Sequence, residues 1–177
     1  CWKEKGHGFV SLNNAMKQSC DTYFYEIARL LGVDKLKITA KKFGLGEKVL
    51  GEYFENEKQG LFPNTSWKKN NLGKGWVLGE TLITGIGQGY TQITPLQLCL
   101  MTAQIANGGY SIKPKIIVNN NSLTLEQSKK MMKNQNLNSS NRQLFKDPKN
   151  IKIIQEAMFS STNEIRGTSY RSRIDDP

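Results

Sequence analysis

In the first forty positions apolar residues recur at helical spacing and are interrupted by polar or glycine punctuation. Ser11 followed by LNNAMKQS reads as an N-capped helix, because a serine hydroxyl accepts from a free amide of the first turn. TYFYEIARLLG resumes the pattern, with Tyr23, Ile27, Leu30 and Leu31 on one face and Gly32 as its stop. Asp34 is placed to cap a third helix, KLKITAKKF, which Gly44 ends. From Leu45 to Gly79 the periodicity fails. Gly, Asn and Lys are frequent there, and Tyr53, Phe54, Phe62, Trp67 and Trp76 stand alone, which predicts a long excursion with little regular structure.

The cleanest local signal follows in GIGQGYTQITPLQLCLMTAQIANGG. Thr94 is an N-cap, Pro95 the first helical residue and Gln97 the far side of a capping box, so a helix runs to Asn107 and stops at Gly108-Gly109. YSIKPKIIV then reads as a short strand, and residues 119–149 as a polar, loosely structured insertion. A last helix is expected from about Lys149 to Ser161, ahead of RGTSYRSRIDDP. No internal repeat is visible.

With 177 residues, 37% of them hydrophobic, the chain suits one globular domain or a large piece of one. A net charge of +10 favours anionic surroundings, but the Lys and Arg are scattered and select no particular partner. No apolar run is long enough to cross a bilayer. The chain begins at Cys1 without an initiator Met, and it is read as a fragment. Three cysteines cannot pair off, so a disulfide framework is not expected, and Cys99 inside LQLCLMTAQIA is expected to be a buried, unreactive thiol.

The chemistry of the chain concentrates near QSCDTYFYEIA. Cys1, His7 and Cys20 form a C-x5-H-x12-C array from the single His and two of the three Cys, a donor set that suits tetrahedral Zn2+ but falls one ligand short of a closed structural site. The plainer alternative is two ordinary core thiols and a turn histidine. Ser19 and Asp21 could equally cap the next helix or serve an active site. A Ser-His-Asp triad is a poor candidate when the only His sits with the cysteines. The one Ser-x-x-Lys match, Ser66 to Lys69, lies in the long excursion without an apolar helix to bury its lysine, and reads as a decoy. GIGQG lacks the Lys-Ser/Thr of a phosphate loop and reads as a tight turn. No interleaving of aromatic and basic residues points to nucleic acid.

CWKEKGHGFVSLNNAMKQSCDTYFYEIARLLGVDKLKITAKKFGLGEK, GLFPNTSWKK, GIGQGYTQITPLQL with ANGG, and RGTSYRSRIDDP together resemble successive blocks of the transpeptidase domain of elongation-class penicillin-binding proteins, the penicillin-binding protein 2 type. The resemblance spans nearly the whole chain and is weak only over residues 119–149. It implies an α+β fold, a mainly antiparallel five-stranded sheet with helices on both sides, of which residues 1–177 supply a mainly helical part. It implies D,D-transpeptidation of peptidoglycan stem peptides, inhibition by beta-lactams, and partners in the membrane-bound elongation machinery, chiefly a lipid II polymerase. The catalytic domain would be periplasmic and anchored to the bacterial inner membrane by a segment outside this chain. Of the family's three motifs, Ser-x-x-Lys, Ser-x-Asn and Lys-Ser/Thr-Gly, only the second is matched, by Ser19-Cys20-Asp21, so the chain alone is expected to be inactive. The resemblance makes Ser19 a proton relay and Asp21, where the wider family more often has an amide, an orienting partner of a catalytic lysine. It also implies a structural zinc on Cys1, His7, Cys20 and an upstream acidic residue. The rival readings are a pseudo-transpeptidase that binds without catalysis, and a zinc-stabilised interaction module.

Overall fold

Helix capping organises most of the chain. The computed structural model describes residues 1–51, 54–114 and 142–174. Within them lie α1 (Leu12–Lys17), α2 (Asp21–Leu31), α3 (Val33–Lys42), α4 (Thr65–Leu72), α5 (Leu78–Gly85), α6 (Pro95–Ala106), α7 (Pro148–Asn163) and a short 3-10 helix, Tyr170–Ser172. Ser11 caps α1 through the Asn14 N–H, and Thr94 caps α6 through the Gln97 N–H, with Pro95 in the first turn, as expected. Asp147 caps α7 by accepting from Lys149, and the helix starts at Pro148, one residue before the boundary that the sequence suggested.

Three helices end in the same hydrogen-bonded motif. After α3, α5 and α6 the chain turns through Gly44, Gly87 and Gly108, with φ of +85°, +77° and +91°. In each case two successive amides return to the last turn: Gly44 to Lys41 and Leu45 to Ala40, Gly87 to Thr84 and Gln88 to Ile83, Gly108 to Ile105 and Gly109 to Gln104. This is the Schellman arrangement, which needs a left-handed residue just past the helix and so favours glycine. GIGQG is therefore the turn it was read as, ending α5.

Several expectations are corrected. The excursion from Leu45 to Gly79 contains α4 and the start of α5. Asp34 does not cap α3, whose N-cap is Gly32. Its carboxylate instead accepts from the Thr65 N–H and hydroxyl, while Asn64 Oδ1 accepts from Trp67, so a distant acid and a local amide jointly start α4. Leu30 and Leu31 are exposed, and α2 packs on α5 through Ala28. Gly85 makes this contact possible, because a Cβ there would overlap the Ala28 side chain. Cys99 is exposed, since α6 turns Gln97, Leu100 and Gln104 inward and the intervening positions outward. Of the expected strand, Tyr110 pairs with Gln143 in a single bridge and residues 115–118 lie outside the described residues. Residues 119–141 of the expected insertion also lie outside them, while Phe145 stacks edge-on against Phe43.

The interior is built from small apolar side chains and glutamine amides. Ala15, Ala28, Ala40 and Ala157 are buried with Val33, Phe43, Leu100 and Ile151. Gln97 is fully buried, and its amide is saturated: Nε2 donates to Glu47 O (2.7 Å) and Gln59 O (2.8 Å), and Oε1 accepts from Gly46 N and Thr94 N (both 3.3 Å). Beside it Leu61 and Gln92 exchange two backbone hydrogen bonds. Gln104 joins Phe43 O to Ile112 N in the same manner. Lys68 and Glu80 form a buried ion pair with N–O 2.5 Å, under the Trp76 ring. Burial opposes ionisation of Glu80, but the Lys68 hydrogen bond and charge and the Val77 and Tyr90 hydrogen bonds prevail, holding its carboxyl below the ordinary range.

Candidate functional site

The end of α1 repeats the Schellman pattern with an unusual occupant. Ser19 N–H donates to Met16 O (3.2 Å) and Cys20 N–H to Ala15 O (2.8 Å), and the left-handed position that glycine fills elsewhere is taken by Ser19, at φ +49°. A side chain in this conformation costs about 1–2 kcal/mol relative to the right-handed region. The turn leaves Ser19 exposed and Cys20 buried, so neighbouring side chains of one tripeptide diverge. Cys20 is the N-cap residue of α2 by backbone geometry but makes no capping bond through its sulfur, and Asp21 opens the first turn, where its charge suits the helix dipole.

Cys20 faces the segment that precedes α1. Cys1 Sγ lies 3.2 Å from His7 Nδ1, and one ligand atom from each of Cys1, His7 and Cys20 falls within 4.8 Å of the others. Trp2 anchors this segment by donating its indole N–H to Gln18 O (3.0 Å) and standing edge-on to the His7 ring. His7 Nε2 is buried without a hydrogen-bond partner. These three side chains thus form a group able to hold a metal, assembled from the residues that the sequence pattern singled out. Zn–S bonds of about 2.3 Å and Zn–N bonds of about 2.0 Å are compatible with such a cluster, and the thiolate and imidazole donors are those zinc prefers. Asp21 lies beside the same segment, one carboxylate oxygen 3.9 Å from the Cys1 nitrogen.

Ser19 faces the far end of the chain. Its Oγ is 2.8 Å from Thr168 Oγ1 in the turn after α7. Thr168 N–H also donates to Lys17 O (3.0 Å), a carbonyl of the last turn of α1. The Lys17 ammonium pairs with Glu164, which accepts a further bond from the Ser160 hydroxyl (2.8 Å). The Lys17 hydrogen bond, then that of Ser160, holds the Glu164 carboxyl below its ordinary value against a smaller opposing effect of burial. Neither Thr168 nor the Lys17–Glu164 pair was legible as part of a site: about 150 positions separate the partners in sequence.

The penicillin-binding protein transpeptidase domain model matches residues 1–176. The chain belongs to the penicillin-binding protein transpeptidase family. A peptidoglycan D,D-transpeptidase MrdA of Salmonella typhimurium is 32% identical over 172 residues, 96% of this chain and 26% of the relative. The chain therefore spans about a quarter of the length of that curated transpeptidase. Among solved structures, Pseudomonas aeruginosa PBP2 in complex with WCK 5153 superimposes with TM-score 0.79 at 35% identity, over 96% of this chain and 36% of that one. Helicobacter pylori PBP2 in complex with MreC gives TM-score 0.75 at 32% identity, over 97% and 29%. The chain is thus a PBP2-type piece of the domain, and the architecture above is its helix-rich part. Within this transpeptidase piece the Ser-x-x-Lys match at Ser66 to Lys69 does sit on a helix, α4, contrary to expectation. Ser66 and Lys69 are nevertheless exposed, and the lysine that α4 buries is Lys68, committed to Glu80.

Proposed function

We propose that this chain is the second-motif segment of a peptidoglycan D,D-transpeptidase, with Ser19-Cys20-Asp21 as the motif. The observation that carries the reading is Ser19 itself: an exposed hydroxyl held in a left-handed position where a helix end would otherwise take glycine. Backbone strain of this kind points towards function rather than stability. In the complete protein a serine acylated by a D-Ala-D-Ala stem peptide must pass its proton to the departing D-Ala amine, and an acceptor amine then attacks the acyl-enzyme to form the cross-link. Ser19, able both to donate and to accept, relays that proton, while ionised Asp21 accepts hydrogen bonds and orients the catalytic lysine. Beta-lactams acylate the same serine in place of the donor peptide. The nucleophile is not in this chain, which has no Lys-Ser/Thr-Gly and no Ser-x-x-Lys with a buried lysine, so the isolated chain is inactive.

Cys1, His7 and Cys20 hold a structural Zn2+ in this reading, with a fourth ligand outside the chain. The ion supplies no chemistry to the acyl transfer; it fixes the loop that presents Ser19. The buried Cys20 thiol and the unpartnered His7 nitrogen support it. No described helix is long and apolar enough to cross a membrane. Placement of the domain in the periplasm, tethered to the inner membrane, and membrane-bound elongation partners including a lipid II polymerase rest on the family relation; the MreC complex of the Helicobacter protein supports such partners.

Labelling of the complete protein with a fluorescent penicillin tests the reading. Wild type labels, and Ser19→Ala slows labelling by about 10²- to 10⁴-fold, the usual worth of a general acid-base group. Wild-type protein that never labels is a binding module instead. Elemental analysis of the same protein with and without Cys20→Ser tests the metal, and a zinc-free wild type ends that assignment.

A further inference from the structure

The hydroxyl of Ser19 is useful as a relay only if it is held in one direction, and its own backbone turn does not do that. The two Schellman hydrogen bonds fix φ and ψ of Ser19 but leave its side chain free to choose among staggered rotamers. Among the described residues its side-chain partner is Thr168 Oγ1, at 2.8 Å. Thr168 is itself tightly located. Its N–H is bonded to Lys17 O, and Ser169 N–H is bonded to Ser161 O (3.1 Å). Gly167 lies so close to the Ser161 carbonyl that a Cβ there would overlap it. The Lys17–Glu164 pair and the Ser160 hydroxyl tie the end of α7 to the end of α1, and these two helices share one of the largest contacts in the molecule.

We propose that Thr168 is a positioning residue for Ser19: its hydroxyl selects the Ser19 rotamer and engages one lone pair of that hydroxyl, so the Ser19 proton and its other lone pair stay free for the reacting groups of the complete protein. Thr168 Oγ1 stands 3.5 Å from Lys17 O, beyond the usual O–H···O range, so its proton is available to Ser19 Oγ at 2.8 Å, and Ser19 keeps its own proton for the relay. The sequence GT at 167–168 supplies what this geometry requires, a residue without Cβ for the close approach and a hydroxyl immediately after it. The inference rests on the relay role of Ser19.

The test uses the complete protein and its rate of acylation by a fluorescent penicillin across pH, with Thr168→Val, which keeps shape and removes the hydroxyl, and Thr168→Ser, which keeps the hydroxyl. Misorientation of a reacting group costs up to about 100-fold. Thr168→Val is expected to acylate about 10- to 100-fold more slowly, with an altered pH profile. Thr168→Ser stays within about threefold of wild type. Thr168→Val in a Ser19→Ala background adds nothing further, as coupling through one group requires. Wild-type rate and pH profile in Thr168→Val, with Ser19→Ala impaired, overturn the positioning role alone. A silent Ser19→Ala overturns the relay reading, and the positioning role with it. Thr168→Ala is the second hydroxyl-free variant should the valine perturb folding, judged by thermal melting, and the same rate and pH outcomes decide the case.

Discussion

The ends of α1 and α5 are the same object built twice. Both close with paired amides returned to the last turn and with a left-handed residue just beyond it, Ser19 in one and Gly87 in the other. At Gly87 a Cβ would meet nothing within 4 Å, so glycine is there for its backbone alone. At Ser19 the chain accepts the strain and gains a hydroxyl with a partner 149 positions away. The backbone motif is therefore generic, and what distinguishes the candidate site is the price it tolerates in conformation.

Four substitutions sharpen or break this comparison. The largest effect is expected from Ser19→Gly in the complete protein. Acylation falls about 10²- to 10⁴-fold while thermal stability is held or raised by up to about 1 kcal/mol, because glycine relieves the left-handed strain. Loss of stability together with activity would make Ser19 structural and dissolve the contrast. Gly44→Ser comes next, at about 2–4 kcal/mol of destabilisation by denaturant titration, since its Cβ adds contacts of 3.0 Å to Val49 and 3.1 Å to Leu100 on top of the strain. Gly87→Ser isolates the strain and is expected at about 1–2 kcal/mol; a cost equal to that of Gly44→Ser would show that crowding plays no part.

The smallest effect concerns the tie that holds α7 to α1. The Glu164 carboxyl is lowered in the folded state, so its pairing with Lys17 stabilises the fold above the ordinary carboxylate range and is lost as pH falls through the lowered value. Glu164→Gln is accordingly expected to be less stable than wild type at neutral pH, by a small margin for a half-exposed partner, with the two converging in acid. Melting temperatures recorded from neutral pH down to about pH 3 check it; parallel curves contradict the assignment.

Local grammar was readable wherever one segment answers its own needs. Ser11, Thr94, Pro95 and Gln97 announce α1 and α6 because cap and capped amide are three residues apart. The same grammar was available for α4, with Asn64 before it and Gly73 after it, but TSWKKNNL offers no apolar face to suggest a helix. Failures elsewhere trace to partners remote in sequence. Leu30 and Leu31 continue the period of α2, yet the buried stripe is chosen by where Gly85 lets α5 approach Ala28. Asp34 caps, but caps the helix that begins at Thr65. In the site, the candidate metal-ligand group followed from residue type because soft donors are scarce in this chain, with three Cys and one His. Thr168 is one of many threonines and had no chemical mark; only the packing of α7 on α1 makes it a neighbour of Ser19.

The saturated amide of Gln97 has a consequence for how the molecule opens. Because one side chain satisfies Gly46, Glu47, Gln59 and Thr94 together, none of these segments can lift away without stranding polar groups of the others. Residues 46–51 and 54–60, the Leu61–Gln92 bridge and the first turn of α6 should then behave as a single unit of local unfolding, with their protected amides exchanging hydrogen for deuterium at one common free energy rather than fraying loop by loop.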